Sequence, residues 1–157
     1  MSEERSAAIV SSEVRTRAAQ VFTLPEILPA HTRIVLDVQA RLALLLTLHE
    51  GETTPLVRSF QLTPSATRVF LALLQAYPQH CPYHTLVSVL YPVALETPVW
   101  EPYVRPIRRA LRSLAPILRG CGLDVVALRG RGYLLVAATR LSHLPANLAP
   151  FQEIGKT

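Results

Sequence analysis

The sequence has only two cysteines, Cys81 and Cys121, among 157 residues. Two thiols cannot build a disulfide framework, and such sparse use predicts free thiols in a reducing compartment. The longest strongly apolar stretch, residues 42–48, is far shorter than the ~20 residues of a membrane-spanning helix. The first 30 residues also lack the basic and then apolar order of a secretory signal. We therefore expect a cytoplasmic protein without a membrane partner.

Acidic residues are almost absent from the part of the chain that carries the positive charge. Residues 103–140 contain eight arginines, no lysine and a single acid, Asp124, whereas the rest of the chain is close to neutral. The planar guanidinium group suits bidentate acceptors such as phosphate or guanine. This block therefore indicates a nucleic-acid surface. A solvated face and a docking site for an acidic protein remain the alternatives.

Half of the residues are apolar, which predicts one domain with a substantial core. Residues 1–31 show little sign of a buried face, so we predict an N-terminal tail that holds at most one helix. The runs 33–39 and 41–49, followed by a turn at 50–52, predict two or three antiparallel strands that end with residues 57–62. The second run is aliphatic throughout and could instead be helical.

Two helices are predicted in the centre of the chain. Thr63 is a good N-cap and Pro64 suits the first helical position, so the first helix should begin there and stop before Pro78. Its apolar residues recur at the spacing of one helical face: Ala66, Val69, Phe70, Leu73, Leu74 and Tyr77. A second, shorter helix should follow Pro82 and end at Pro92.

The third predicted helix, at about 101–118, has an apolar face and a cationic face. Its apolar stripe consists of Val104, Ile107, Leu111, Leu114 and Leu118. On the side away from that stripe lie Arg105, Arg108, Arg109 and Arg112, centred roughly 140° away at ~100° per residue. No acid is present between Tyr103 and Leu123. One side should therefore pack against a core while the other binds an anionic partner.

A β-hairpin should follow at about 123–137. Residues 123–128 and 133–137 read as strands, and the linking segment Arg129-Gly130-Arg131-Gly132 carries two arginines at its tip. Residues 139–157 are predicted to be a C-terminal tail.

Three segments resemble the DNA-binding effector domain of OmpR-type bacterial response regulators. Leu62-Thr63-Pro64 is similar to the start of its first helix, residues 104–111 to its recognition helix, and residues 128–133 to its wing. The order and separation of the three also fit, over residues 32–138. The resemblance implies an α+β winged helix-turn-helix domain: a small N-terminal antiparallel sheet, a three-helix core and a C-terminal β-hairpin wing.

The resemblance implies a recognition helix in the major groove of double-stranded DNA and a wing at a neighbouring minor groove or its phosphates. By position, Arg108 matches a phosphate-contacting arginine, Arg129 the wing arginine and Arg105 a helix position that faces DNA. Tyr133 matches the wing aromatic, expected to pack the hairpin onto the core. We further predict phosphate contacts by Arg109, Arg112 and Arg131, and groove contacts by Arg105 and Arg129.

The sequence departs from the family in several ways. Pro98, Pro102 and Pro106 precede or interrupt the third helix, which is therefore expected to be kinked or to begin properly only at Pro106. Ala66 stands where the family's capping box has an acid. About 31 residues ahead of the sheet are too few for a receiver domain, so we expect a regulator without one.

No enzymatic or metal site is predicted. His80, Cys81 and His84, with Cys121, have zinc-ligand chemistry, but their spacing matches no common finger. The resemblance places Cys81 on a short extended segment where a small apolar residue packs. Trp100 and Tyr103 are expected to anchor the core rather than stack on bases. No paired carboxylates or glycine-rich phosphate loop are present, so we predict no catalytic residue and no cofactor.

Together, the charge pattern and the resemblance imply a bacterial, nucleoid-associated transcription regulator that binds double-stranded DNA sequence-specifically. A homodimer on repeated half-sites, RNA polymerase and a co-regulator are open as further partners. The main alternative is a protein-interaction module that docks an acidic partner in a transcription or mobile-element complex.

Overall fold

The computed structural model describes residues 19–91, 101–139 and 148–150, with side chains for 19–91 and 104–139. The N-terminal part is a four-stranded antiparallel sheet in chain order: β1 (Ala19–Phe22), β2 (Thr32–Asp37), β3 (Leu42–Thr47) and β4 (Leu56–Gln61). The strands predicted between residues 33 and 62 are confirmed. The helical alternative for 41–49 is wrong, because β3 is paired along both of its edges.

Strand β1 was not predicted, since it lies within the range 1–31 that the sequence assigned to a tail. It pairs with β2 from Ala19 opposite Asp37 to Phe22 opposite Ile34. Its four residues alternate too little to be recognised as a strand, because an edge strand of this length buries few side chains. The connection to β2 buries Leu24 and Leu28, so the sheet and the core both extend beyond residue 32 towards the N-terminus.

The first central helix begins at its predicted N-cap, and both central helices lie between the prolines that were predicted to bound them. Helix α1 (Pro64–Ala76) has Thr63 as its N-cap, whose Oγ1 accepts a hydrogen bond from the Ala66 amide at 3.2 Å. The two-residue strand β5 (Cys81–Pro82) leads into helix α2 (Tyr83–Leu90). Pro92 and Pro98 lie outside the described residues. Helix α3 (Glu101–Gly120) follows.

A second antiparallel sheet contains the predicted hairpin, β6 (Leu123–Leu128) and β7 (Gly132–Ala137). Strand β5 pairs with β7 on one side of the hairpin, and β8 (Leu148–Pro150) pairs with β6 on the other. Strand β8 lies within the range 139–157 that was predicted to be a tail.

The buried side chains of residues 19–91 and 104–139 meet in one hydrophobic core. Strands β2 and β3 contribute Ile34 and Leu45, α1 contributes Phe70, and α3 contributes Leu111 and Leu114. Among the described residues the architecture is α+β, with three helices and antiparallel sheets. No helix in the described ranges is both long and apolar enough to cross a membrane.

Candidate nucleic-acid interface

Helix α3 lies with one side in the core and presents a cationic stripe on the other. Its large buried side chains, each at most 1% exposed, are Ile107, Leu111, Leu114 and Leu118, and Ala110 is buried beside them. At 100° per residue the opposite side carries Arg105, Arg109, Arg112 and Arg119, all exposed. We call these four residues the arginine stripe. Burial of the apolar side fixes the rotation of the helix, and so keeps the stripe in solvent.

Two prolines lie inside α3 without interrupting it. The helix runs from Glu101 to Gly120 through Pro106 and Pro116, so the expectation that it begins properly only at Pro106 is wrong. A proline has no amide hydrogen, which leaves the carbonyls of Pro102 and Arg112 without their usual donors four residues on. Pro116 is exposed and lies on the same side of the helix, between Arg112 and Arg119. An uncharged residue therefore occupies this position of the stripe.

Arg108 differs from the other arginines of α3 because it lies at the border of the buried side. Its side chain is half-buried and its Nε is shielded from solvent. The guanidinium lies beside the phenol of Tyr133 on β7. Burial raises the pKa of Tyr133 to about 12, and the neighbouring Arg108 partly opposes that rise. Arg108 thus connects α3 to the hairpin, a role that the sequence did not predict.

The tip of the hairpin is a short turn that exposes two arginines. The Arg131 amide donates to the Leu128 carbonyl at 2.9 Å, and Gly130 has a φ of 72°. This left-handed conformation suits glycine, which has no Cβ to clash with the backbone. Arg129 and Arg131 flank Gly130 and are both exposed. The turn therefore directs two cations into solvent at the end of the hairpin.

The hairpin is held against the start of α2. The Tyr83 amide donates to the Arg131 carbonyl at 3.3 Å, and Cys81 pairs with Tyr133. The rings of Tyr83 and Tyr133 meet edge to face, with centroids 5.6 Å apart. Tyr133 is buried, as the resemblance implied for the wing aromatic. Because Tyr133 also adjoins Arg108, the hairpin tip lies near the N-terminal half of α3.

No acid compensates the exposed arginines of residues 104–139. Asp124 is the one acidic residue in this range, and it is 5% exposed, with its Oδ1 accepting a hydrogen bond from the Val125 amide at 2.8 Å. From residue 104 onward, the exposed side of α3 and the hairpin tip therefore form a surface of one sign. Such a surface attracts polyanions and orients their approach.

The residues with metal-ligand chemistry do not come together in the part of the chain that the structure describes, where no group of three histidine, cysteine or acidic side chains could hold a metal ion. Cys81 is fully buried on β5, as the resemblance implied, and Cys121 is buried after α3. Burial raises the pKa of each thiol to about 11.

The chain matches no protein-family model, no curated protein and no solved structure.

All six arginines proposed from the sequence lie on α3 or the hairpin tip, and five of them are exposed: Arg105, Arg109, Arg112, Arg129 and Arg131. Arg119 extends the stripe and was not among the predicted site residues. Its spacing of seven residues from Arg112, two helical turns, is the signal that could have identified it. Trp100 lies outside the described residues, as does the side chain of Tyr103.

Proposed function

We propose that the protein is a sequence-specific regulator of transcription that binds double-stranded DNA and is not an enzyme. In this proposal the domain is a winged helix, α3 is the recognition helix and the β6–β7 hairpin is the wing. The observation that carries the proposal is the set of exposed arginines on α3 and the hairpin tip, which no exposed acid offsets within residues 104–139.

The dimensions of α3 suit the major groove. A helix with its side chains is about 10–12 Å across, and the groove is about 12 Å wide. At 1.5 Å per residue, Arg105 and Arg112 are about 10 Å apart along the axis. That length allows one end of the helix to reach base edges while the other meets the phosphates of the groove wall.

We assign the arginines two kinds of contact. Arg109, Arg112 and Arg131 are proposed to bind phosphates, which supply most of the affinity and make it depend on salt. Arg105 and Arg129 are proposed to enter grooves, where a bidentate arginine–guanine pair discriminates by about 1–3 kcal/mol. Arg108 is also proposed to bind a phosphate. Because its guanidinium adjoins Tyr133, only the side of the group that faces away from Tyr133 would make this contact.

The salt dependence of binding to a mixed-sequence duplex tests the use of this surface. Fluorescence anisotropy of the full chain with a labelled duplex gives the slope of log affinity against log salt concentration. We expect Arg112→Ala to reduce that slope by about 0.9, the value for one phosphate contact. Arg68→Ala is the matched control, because Arg68 is an exposed arginine on α1 outside the stripe.

Equal slopes for the wild type and Arg112→Ala would show that the stripe does not bind the phosphates. If Arg112→Ala and Arg68→Ala lowered the slope equally, the change would reflect the net charge of the protein and not the position of Arg112. Either result contradicts the proposed interface.

A further inference from the structure

The N-terminal sheet covers the core with one face and leaves the other face uncovered within the described residues. On β2, Ile34 and Leu36 are buried in the core, so Arg33, Val35 and Asp37 point to the opposite side. We call that opposite side of the sheet the outer face. It is largely aliphatic, with these apolar members: Ala19, Val21, Val35, Leu42, Leu44, Leu46 and Val57. Val21 is 59% exposed and Val57 is 54% exposed.

The strand register arranges the outer face in three parallel rows. The middle row crosses the sheet through Val21, Val35, Leu44 and Ser59. One flanking row runs through Arg33, Leu46 and Val57, and the other through Ala19, Asp37, Leu42 and Gln61. On β2 a cation and an anion are therefore placed symmetrically about Val35, and on β3 two leucines are placed symmetrically about Leu44.

This pattern is complementary to itself. Two copies can be stacked outer face to outer face, with a two-fold axis between them that runs parallel to the middle row. Rotation about this axis reverses the direction of every strand and places each strand over its own counterpart. It brings Arg33 of one copy over Asp37 of the other, and Leu46 over Leu42. Val35 and Leu44 then meet their own counterparts on the axis. From this we propose that two copies of the chain dimerise through their outer faces, in the isologous manner of a two-fold interface.

The shape of the sheet agrees with this occupant. A hollow on the Arg33 side of the outer face is lined by Ala30, His31, Arg33, Leu46, Leu48 and Pro55. The same two-fold axis places the β2–β3 turn of the partner, residues 38–41, over this hollow. This turn thus faces the hollow, and Leu48, which is 44% exposed, is covered.

The size of the face predicts a weak dimer. Three strands of six residues and the four-residue β1, about 4.8 Å apart and about 3.3 Å per residue, give roughly 350 Å² in projection on each copy. The two copies together contribute roughly 700 Å², which is below the standard size of a stable interface and falls among weak or transient ones. We therefore expect monomers and dimers in a concentration-dependent equilibrium without DNA. This inference does not depend on DNA binding, because the outer face contains none of the stripe or hairpin arginines.

Sedimentation equilibrium of the full chain without DNA, from low to high micromolar concentration, tests the dimer. We expect the wild type to dimerise and Leu44→Glu, which places two carboxylates on the axis, to stay monomeric. Leu56→Glu is the matched control, since Leu56 is 62% exposed and lies on β4 with its side chain on the opposite face of the sheet. A monomeric wild type, or equal dimerisation of Leu44→Glu and the wild type, would overturn the proposal.

A charge series tests the two-fold register. The substitution Arg33→Asp places a carboxylate over Asp37 of the other copy, and we expect the dissociation constant to rise at least about tenfold. Adding Asp37→Asn removes this repulsion and should restore much of the dimer. In the wild type, Oδ1 of Asp37 accepts a hydrogen bond from the Ala40 amide at 2.9 Å. Asparagine has an equivalent side-chain oxygen, so the turn should be preserved. If the double variant stays as weak as Arg33→Asp, the register is wrong.

Discussion

Arg58 and Gly120 are joined by a hydrogen bond, in which Nη1 of Arg58 on β4 donates at 2.9 Å to the carbonyl of the last residue of α3. The last carbonyls of a helix have no hydrogen-bond donor within the helix, and they lie at the negative end of the helix dipole. A guanidinium at this end donates a hydrogen bond and also places a positive charge beside the dipole. A Cβ on Gly120 would lie 2.7 Å from Cε1 of Phe60, so the glycine leaves room for the Phe60 ring of β4. The N-terminal sheet thereby holds the C-terminal end of α3, the helix that carries the arginine stripe.

Replacing Arg58 should weaken this junction. We expect Arg58→Ala to lower the free energy of unfolding by about 1 kcal/mol, because a charge-assisted hydrogen bond and a favourable dipole contact are lost from a partly exposed site. Urea unfolding of the full chain measures the change. The control is Arg68→Ala, another exposed arginine, which should change the stability by less than about 0.5 kcal/mol. Equal effects of the two variants would contradict the account.

Gly132 should be far less replaceable than its neighbour Gly130. A Cβ on Gly132 would overlap the Cys81 carbonyl of the paired strand β5, and its φ of 154° is unfavourable for other residues. We expect Gly132→Ala to cost about 3 kcal/mol in urea unfolding, because backbone must move. At Gly130 a Cβ meets nothing within 4 Å, so Gly130→Ala should cost only about 1–2 kcal/mol from its left-handed φ. The reverse order would contradict the β5–β7 pairing.

Arg108 and Arg105 should differ in their effect on stability. Arg108 is half-buried beside Tyr133, whereas Arg105 is exposed. We expect Arg108→Ala to lower the free energy of unfolding by about 1 kcal/mol, the usual value of one hydrogen bond, and Arg105→Ala to leave it within about 0.5 kcal/mol. Thermal or urea unfolding in the absence of DNA separates the two. If both variants are as stable as the wild type, Arg108 does not connect α3 to the hairpin.

The buried thiols should make the fold sensitive to alkaline pH. Burial raises the pKa of Cys81 from 9.0 to about 11, so folding favours the protonated thiol. The associated stability is present below pH 9.0 and is lost as the pH rises through about 11, because the unfolded chain then releases a proton that the folded chain retains. Urea midpoints across this range should fall less steeply for Cys81→Ala than for the wild type. Parallel curves would contradict the assignment.

Local signals were sufficient to predict most of the elements. Thr63 and Pro64 mark the start of α1, and the glycines around Arg131 mark the hairpin, because caps and turns depend on residues close in sequence. Strand β1 was missed for the opposite reason: Ala19–Phe22 becomes a strand only through pairing with β2. No local pattern in four residues encodes that partner.

The candidate site shows the same division. Helical spacing was enough to place Arg105, Arg109 and Arg112 on one exposed side of α3. It was not enough for Arg108, whose surroundings depend on a tyrosine from β7. The junction of Arg58 with Gly120 spans 62 residues and likewise has no local signature. Long-range contacts therefore decide which of the arginines are available to a ligand.

Selection of bound duplexes from a random pool, with the full chain at near-physiological salt, tests the central claim most directly. We predict recovery of one sequence motif, and a variant that lacks Arg105, Arg109 and Arg112 should lose it. Recovery of no motif above background by the wild type would contradict sequence-specific DNA binding.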